Sequence, residues 1–168
     1  MNIRLSKTED IPRMQEIFEI AKKYMKDNGN PNQWAEPGYP GRLLENDIKN
    51  GHSFVIEEDG KIIGTFAFIM GRDSTYDVID GGAWLDDDAP YGTIHRIASD
   101  GSRRHLLEAC LDYCFNLIDN IRIDTHEDNK TMQHLVEKNG FKRCGIIYVY
   151  DGSPRIAYQK IIRKEEQQ

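Results

Sequence analysis

The sequence has little cysteine, no long hydrophobic run and no excess of positive charge. Its 168 residues include three cysteines, which cannot all pair with one another. This count is typical of a reduced protein and not of a disulfide framework. No apolar run approaches the roughly 20 residues of a membrane-spanning helix, and residues 1–10 lack the apolar segment of a secretory signal. We therefore expect a soluble, cytoplasmic protein without a membrane partner.

Positive charge is scarce relative to negative charge. The 22 lysines and arginines stand against 28 aspartates and glutamates, which gives a formal net charge of −6. Proteins that bind nucleic acid normally carry a basic patch or stripe, so this balance argues against a nucleic-acid partner. A local acidic surface would instead attract cationic small molecules such as amines.

The histidines and cysteines lack the spacing of a metal site. His126 and His134 are eight residues apart, whereas a zinc-binding helix pairs its histidines at i and i+4. Cys110 and Cys114 lie one helical turn apart among leucines, which is the pattern of small core residues. We therefore expect no metal cofactor, and we expect these two cysteines to be buried.

The chain does contain enough apolar residues for one contiguous core. Hydrophobic residues make up 39% of the sequence, and this length suits a single domain. We expect that domain at residues 1–163, followed by a polar tail at residues 164–168. The element order, β-α-α-β-β-(β)-β-α-β-α-β-β, is typical of an α/β or α+β domain with a mixed sheet covered by helices.

Hydrophobic periodicity and turn residues set the expected bounds of these elements. The expected strands are residues 2–6, 53–58, 61–70, 75–84, 91–98, 121–125, 141–150 and 155–161. The expected helices begin near residues 11, 42, 102 and 128. The strand at 75–84, shown in parentheses above, is interrupted by Gly81-Gly82.

A strand that turns directly into a helix is the first stretch to suggest chemistry. Residues 91–98 read as the strand, and Asp100-Gly101-Ser102 as the turn into a helix that Ser102 opens. The unbonded amides and the partial positive charge of a helix N-terminus suit a pyrophosphate. Arg103 and Arg104 would add positive charge. A glycine-serine helix start is also an ordinary cap, so both interpretations stay open.

The second informative stretch, residues 121–148, resembles the closing motif of the GNAT acetyltransferases. In that family a strand, an asparagine, a helix and a lysine-spacer-glycine-phenylalanine segment follow one another. The matching residues here are Asn129 and Lys138-Asn139-Gly140-Phe141. The element order resembles the family over essentially the whole chain, and its sequence-specific part lies in residues 92–160. The end of the chain resembles bacterial members with small-molecule or unassigned substrates.

The resemblance implies a mixed, mostly antiparallel central sheet flanked by helices, and acetyl-coenzyme A (acetyl-CoA) as the co-substrate. Its pantetheine arm would bind the exposed backbone of Ile97, Ala98 and Ser99. Its pyrophosphate would bind the turn amides, which belong to Gly101, Ser102, Arg103, Arg104 and His105. Asn129 would contact the pantetheine arm or, equally, act as the N-cap of its helix.

Two departures from the family pattern bear on this site. The phosphate turn of the family usually carries small residues, whereas this turn is shorter and has Arg103 and His105 near those positions. These side chains would narrow the site or point outward onto the phosphates. Val136 stands seven residues after Asn129, where many members place the tyrosine that protonates the departing thiolate.

The implied reaction is direct transfer of the acetyl group to a primary amine of a small molecule or peptide. The backbone amide near Ile97 would polarise the thioester carbonyl. Histidine titrates near neutral pH, so His95 is the candidate general base, although a strand histidine is also an ordinary structural residue. Tyr148 and Tyr150 are the candidate general acids, again with structural alternatives.

The acceptor-binding residues would come from turn-rich segments. Trp34, Tyr39 and Trp84 would line a pocket or, equally, fasten their loops to the core. Asp80 would orient a cationic amine, together with the acidic run at residues 86–88. A homodimer is also expected, because exposed terminal strands in this fold often pair. The main alternative is an acyl-CoA-binding module with little or no catalysis, which the missing tyrosine favours; a structural or regulatory domain is the third.

Overall fold

The computed structural model describes residues 1–162, which form seven strands and four α-helices. The strands are β1 (Asn2–Leu5), β2 (Ser53–Glu58), β3 (Lys61–Met70), β4 (Gly92–Ser99), β5 (Asn120–Thr125), β6 (Lys142–Tyr148) and β7 (Pro154–Ile161). The helices are α1 (Ile11–Asp27), α2 (Leu44–Lys49), α3 (Leu106–Phe115) and α4 (Lys130–Lys138).

The strands follow the order β1-β2-β3-β4-β5-β7-β6 in one sheet. Among the pairings whose register is described, β4 with β5 is parallel and the other four are antiparallel. The mixed, mostly antiparallel sheet with flanking helices is therefore confirmed.

The chain divides into two compact units, each made of two segments. The first unit comprises Met1–Ile69 and Ile94–Cys110, and the second comprises Met70–Thr93 and the described residues from Leu111 onward. One domain at residues 1–163 stays a prediction, and the tail predicted at residues 164–168 lies outside the described residues.

In the first unit, α1 and α2 bury one apolar face against the strands. Apolar residues recur along α1 at helical spacing, and Met14, Ile17 and Phe18 are almost completely buried. They share a core cluster with Leu44, Val55 and Ala98. Each such side chain contributes about 1.5–3 kcal/mol when it is removed from water.

Within strand β4, Arg96 has a φ of 53°. A bulky residue rarely adopts this left-handed conformation, so the surrounding structure must hold it. The Arg96 guanidinium donates to the carboxylate of Asp47 in α2 at 2.6 Å, and only 12% and 9% of the two side chains are exposed. This buried ion pair fixes the backbone beside His95 and Ile97.

The second unit has its core between β5, β7, β6 and the irregular chain from residue 71 to residue 91. Buried side chains from the irregular chain and from β6 and β7 form one cluster: Tyr76, Trp84, Tyr91, Cys144, Ile147 and Ala157. The Tyr76 hydroxyl donates to Asp124 of β5 at 2.6 Å. Burial, followed by the negative charge of Asp124, raises the pKa of Tyr76 well above its ordinary value.

The strand predicted at residues 75–84 is wrong. A short 3-10 turn covers Ser74–Tyr76, and the following chain forms only one isolated bridge, from Asp80 to Ile146 of β6. Gly82 crosses β6 so closely that a Cβ atom would lie 1.9 Å from the Cys144 carbonyl oxygen. The chain therefore crosses the strand at this point and does not pair along it.

The helix predicted from Ser102 begins at Leu106 instead. The amide and hydroxyl of Ser102 both donate to the Asp100 carboxylate, which keeps this residue in a turn. His105 then adopts a φ of 68°, outside the helical range. The turn after β4 is thus longer, and the helix shorter, than the sequence pattern indicates.

Two of the cysteine positions behave as expected. Cys110 and Cys114 form no disulfide and are completely buried, so their placement in the core is confirmed. Within residues 1–162, no helix is long and apolar enough to cross a bilayer. The same residues include no group of three histidine, cysteine or carboxylate side chains arranged to hold a metal ion.

Candidate functional site

The turn that follows β4 uses its own side chains to bind its amides. The Gly101 amide donates to Ser99 Oγ at 3.0 Å, and the Ser102 amide donates to Asp100 Oδ1 at 2.9 Å. Gly101 has a φ of 80°, a conformation that glycine adopts without steric cost. Two of the five amides that the sequence assigns to a pyrophosphate therefore already have acceptors.

The Asp100 carboxylate is the centre of this turn. Arg13 of α1 donates to Asp100 Oδ2 at 2.7 Å, and only 6% of the Asp100 side chain is exposed. The pKa of Asp100 lies below its ordinary value. Burial alone would raise it, but the hydrogen bonds from Ser102 and the positive charges of Arg13 and Lys61 outweigh that effect. The turn thus holds a buried anion of its own.

The three basic residues of the turn have more exposed side chains. Arg103 Nε lies 2.9 Å from a carboxylate oxygen of Glu58. Arg104 is exposed. The His105 side chain is 71% exposed, and its Nδ1 lies 3.7 Å from Glu108. The charge of Arg103 is therefore committed to a carboxylate, whereas Arg104 and His105 are largely in solvent.

The other residues that the sequence assigns to acetyl-CoA or to catalysis on β4 and at the start of α4 belong to different units. On β4, His95, Ile97 and Ser99 are half-buried and Ala98 is buried. Asn129 accepts a hydrogen bond from the Met132 amide at 3.0 Å at the start of α4. The N-cap interpretation of Asn129 is confirmed, and its contact with a pantetheine arm stays a prediction. The same holds for the pantetheine contacts of residues 97–99.

Asp80 and Tyr148, which the sequence assigns to different roles, are neighbours in the second unit. The Asp80 backbone exchanges two hydrogen bonds with Ile146, at 2.9 and 2.8 Å. Hydrogen bonding to the Asp80 carboxylate, together with the negative charge of that group, raises the pKa of Tyr148. Tyr148 is 42% exposed. The pair therefore presents a carboxylate and a protonated phenol close to solvent.

Two glycines allow this approach. At Gly82 a Cβ would meet the Cys144 carbonyl, as noted above, and at Gly145 a Cβ would lie 2.6 Å from the Asp80 carbonyl oxygen. Any side chain at either position would push the chain at Asp80 away from β6. The adjacent glycines at residues 81 and 82 are the sequence signal for this crossing, but they do not identify its partner.

The other candidate acid, Tyr150, lies in the turn after β6 and is 90% exposed. Its side chain is thus far more exposed than that of Tyr148, which is 42% exposed. We therefore favour Tyr148 over Tyr150 as the candidate general acid, although the role of each stays a prediction.

Trp84 fastens its loop to the core of the second unit. It is 7% exposed, and its indole donates to the Tyr76 carbonyl oxygen at 2.9 Å. The guanidinium carbon of Arg122 lies 3.9 Å from the ring centres of both Trp84 and Tyr91. A desolvated cation between two rings contributes about 2 kcal/mol or more. Trp84 consequently has little surface left for a substrate.

Arg122 is the buried residue that the sequence analysis missed. It is 1% exposed and donates to the Asp86 carbonyl oxygen at 3.0 Å, so it also holds the acidic run at residues 86–88. The signal was an arginine between Ile121 and Ile123 in a buried strand. Such a charge needs partners, but the sequence does not name them.

Trp34 and Tyr39 lie together in the first unit. The Trp34 ring packs edge-on against Phe18 at 5.8 Å and against Tyr39 at 6.4 Å between ring centres. An open cavity of about 830 Å³ lies between α1 and the segment from Gly38 to Glu45, and neither aromatic residue lines it. Binding of a substrate by these two residues stays a prediction.

Comparison with known proteins gives the family. The model of the acetyltransferase (GNAT) family matches residues 14–141. An acetyltransferase of the GNAT family from Streptococcus agalactiae 2603 has 37% sequence identity and a TM-score of 0.87, with 97% of this chain and 96% of that chain covered. No match was found among curated proteins.

More distant structures share the fold alone. A GNAT-family acetyltransferase from Listeria monocytogenes 4b F2365 has 19% identity and a TM-score of 0.70, with 96% of this chain and 94% of that chain covered. A ribosomal-protein-alanine N-acetyltransferase from Brucella melitensis has 17% identity and a TM-score of 0.60, with 96% and 100% covered. The family match extends over most of the sequence, and the Streptococcus structure is similar over nearly all of it. The chain therefore belongs to the acetyltransferase (GNAT) family.

Proposed function

We propose that this protein transfers an acetyl group directly from acetyl-CoA to a primary amine of a small molecule or peptide. The Asp80–Tyr148 pair supports this assignment most strongly. A carboxylate near solvent can bind an ammonium group, and the phenol of Tyr148 beside it carries a proton at neutral pH, as an ordinary tyrosine does. Family membership supports acetyl transfer in general, and the acidic balance of the chain favours a cationic acceptor.

The chemistry assigns a role to each group. The thioester supplies an activated acetyl carbonyl, which the neutral amine attacks. The new C–N bond forms, the C–S bond breaks, the amine loses a proton, and the thiolate gains one. Tyr148 is proposed to donate that proton, and His95 is proposed to accept the proton of the amine. The backbone amide near Ile97 is proposed to stabilise the developing oxyanion.

An acyl-CoA-binding module with little or no catalysis is the second candidate. Val136 occupies the position where many family members carry the tyrosine acid, and its side chain is completely buried. No phenol is available from that position. If Tyr148 does not supply the proton instead, binding without turnover would result.

Initial rates of thiol release over a panel of primary amines and diamines, with mass spectrometry of the products, test the assignment. We expect an N-acetylated product from at least one cationic amine. Asp80→Asn should raise KM for that amine about 10-fold, because one charge-assisted hydrogen bond is worth roughly 1.5–3 kcal/mol. Asp88→Asn, which removes the same charge from the exposed acidic loop, serves as the matched control. Tight binding of acetyl-CoA without turnover of any amine would favour the binding module.

A cytoplasmic homodimer without nucleic-acid or membrane partners completes the proposal. Strands β1 and β6 stand at the two ends of the strand order, so they are the edges through which a second copy would pair. Sedimentation velocity at several protein concentrations tests this state. A single species with the mass of one chain at all concentrations would contradict it.

A further inference from the structure

We propose that the donor is recognised through its acyl-pantetheine portion and not through its pyrophosphate, because the Asp100 carboxylate already fills the anion position of the turn after β4. This inference rests on the proposed function. It makes Asp100 a specificity-determining residue, since its charge decides which part of the thioester donor contributes to binding.

The first reason is that amide groups of the turn already have hydrogen-bond acceptors within the chain. A pyrophosphate would need amides that point at it without another acceptor. The Ser102 amide and hydroxyl both donate to Asp100 Oδ1, at 2.9 and 2.6 Å, and the Gly101 amide donates to Ser99 Oγ at 3.0 Å. These internal hydrogen bonds would have to break before a phosphate oxygen could replace them.

The charges around the turn are the second reason. Arg13 is bound to Asp100 at 2.7 Å and to Glu16 at 3.1 Å. Arg103 is bound to Glu58 and lies 3.8 Å from Asp59. The guanidinium groups of Arg13 and Arg103 are therefore paired with carboxylates of the chain, whereas Arg104 is exposed. An incoming pyrophosphate would meet the like charge of the Asp100 carboxylate, whose side chain is only 6% exposed, and this repulsion is unfavourable.

The start of α3 is the third reason. The helix begins at Leu106, and the left-handed His105 separates its first amides from those of Gly101 and Ser102. The turn and the helix N-terminus therefore do not form one continuous row of amides. Neither the turn nor the helix end alone presents the arrangement that the sequence pattern suggested.

The ratio of the affinities for acetyl-CoA and acetyl-pantetheine measures directly how much the pyrophosphate-containing part contributes to binding. Two charge-assisted hydrogen bonds to a pyrophosphate would make acetyl-CoA bind about 100-fold or more tightly than acetyl-pantetheine. With the anion position filled by Asp100, we expect the two dissociation constants, measured by calorimetry on the full chain, to agree within about threefold. A wild-type preference for acetyl-CoA of tenfold or more would overturn the inference and leave the proposed function intact.

Asp100→Asn tests the residue itself. It keeps the size of the side chain and an acceptor for Ser102 but removes the charge. We expect the affinity for acetyl-CoA relative to acetyl-pantetheine to rise about tenfold, since Arg13 loses its counter-charge at residue 100 and becomes available for a charge-assisted contact with a phosphate. Asp27→Asn, an exposed aspartate of α1 with 55% of its side chain exposed, is the control for net charge.

The outcomes are distinct. A wild-type ratio near one that rises in Asp100→Asn, but not in Asp27→Asn, supports the inference. A ratio that stays the same in Asp100→Asn overturns the role of Asp100. Binding of neither donor overturns both the inference and the proposed function. If Asp100→Asn does not fold, the wild-type ratio alone decides, because it needs no variant.

Discussion

Two aspartates, one in each unit, differ in what surrounds their carboxylates. Asp100 in the first unit is almost fully buried and accepts hydrogen bonds from Ser102 and Arg13. Asp80 in the second unit is exposed, and its carboxylate raises the pKa of Tyr148, which is itself 42% exposed. A buried carboxylate that accepts hydrogen bonds from the chain is held in place by them, whereas an exposed carboxylate can bind a cationic ligand.

The same contrast extends to other charged residues. Asp47 belongs with Asp100, because it is buried and bound to Arg96. The second unit buries its own guanidinium, that of Arg122, between two aromatic rings. Changes at these positions should therefore affect stability, and changes at Asp80 and Tyr148 should affect activity.

The largest loss of stability is expected from Asp47→Asn. This change leaves Arg96 buried without a counter-charge, and breaking a buried pair costs about 3–4 kcal/mol. Glu36→Gln is the matched control, because Glu36 pairs with Arg42 while their side chains are 64% and 49% exposed; we expect it to change stability by less than about 0.5 kcal/mol. Urea unfolding measures both. Equal losses would show that the Asp47–Arg96 pair is not specially stabilising.

Gly82→Ala should break the approach of Asp80 to β6. A Cβ at Gly82 would overlap a backbone carbonyl, so we expect a loss of about 2–3 kcal/mol. At Gly81 no heavy atom lies within 4 Å of a Cβ, and only its φ of 70° opposes a side chain. Gly81→Ala should therefore cost about 1–2 kcal/mol. Thermal unfolding of the two variants decides, and a larger loss at residue 81 would contradict the crossing.

Arg122→Lys sharpens the comparison of the two buried guanidinium groups. A lysine keeps the charge but cannot stack between Trp84 and Tyr91, so we expect a loss of about 1–2 kcal/mol. The same change at the exposed Arg143 should alter stability by less than about 0.5 kcal/mol. Chemical denaturation measures both variants. A neutral effect of Arg122→Lys would mean that the rings do not stabilise the guanidinium.

The smallest effect is on the pH dependence of stability. The pKa of Asp100 is lower in the folded chain than in the unfolded one, so its charge stabilises the fold above the unfolded pKa of about 3.9. This stabilisation is lost as the pH falls through the folded value. Asp100→Asn should therefore lose less stability than the wild type on going from pH 5 to pH 3, as measured by denaturation midpoints. A steeper loss in the variant would contradict the assignment.

The sequence predicted what depends on local spacing. The alternation in β1 and the helical repeat of α1 locate those elements, and Asn129 is the N-cap that an asparagine before a helix suggests. The family resemblance, carried by residues 129–141, predicted the fold. These features depend on neighbours only a few residues apart, which is why a single sequence contains them.

The rest depends on contacts between distant residues. Nothing in the sequence indicates that Asp80 meets Tyr148, because the approach depends on close packing at Gly82 and Gly145. The hydrogen bonds from Ser102 to Asp100 keep Ser102 in a turn, so α3 begins at Leu106, which helix propensity does not predict. From the sequence, Trp84 could line a pocket or fasten its loop to the core. Its contact with the Arg122 guanidinium, which favours the second role, is visible only in the structure.

Thiol-release rates of Tyr148→Phe and Tyr150→Phe test the central claim most directly. Removing the phenol that donates the proton should lower kcat about 100-fold, since general acids contribute roughly that much or more, while the binding of acetyl-CoA stays within about twofold. Tyr150→Phe should retain the wild-type rate. Equal rates in all three proteins, or a loss in Tyr150→Phe alone, would contradict the assignment of Tyr148 as the proton donor.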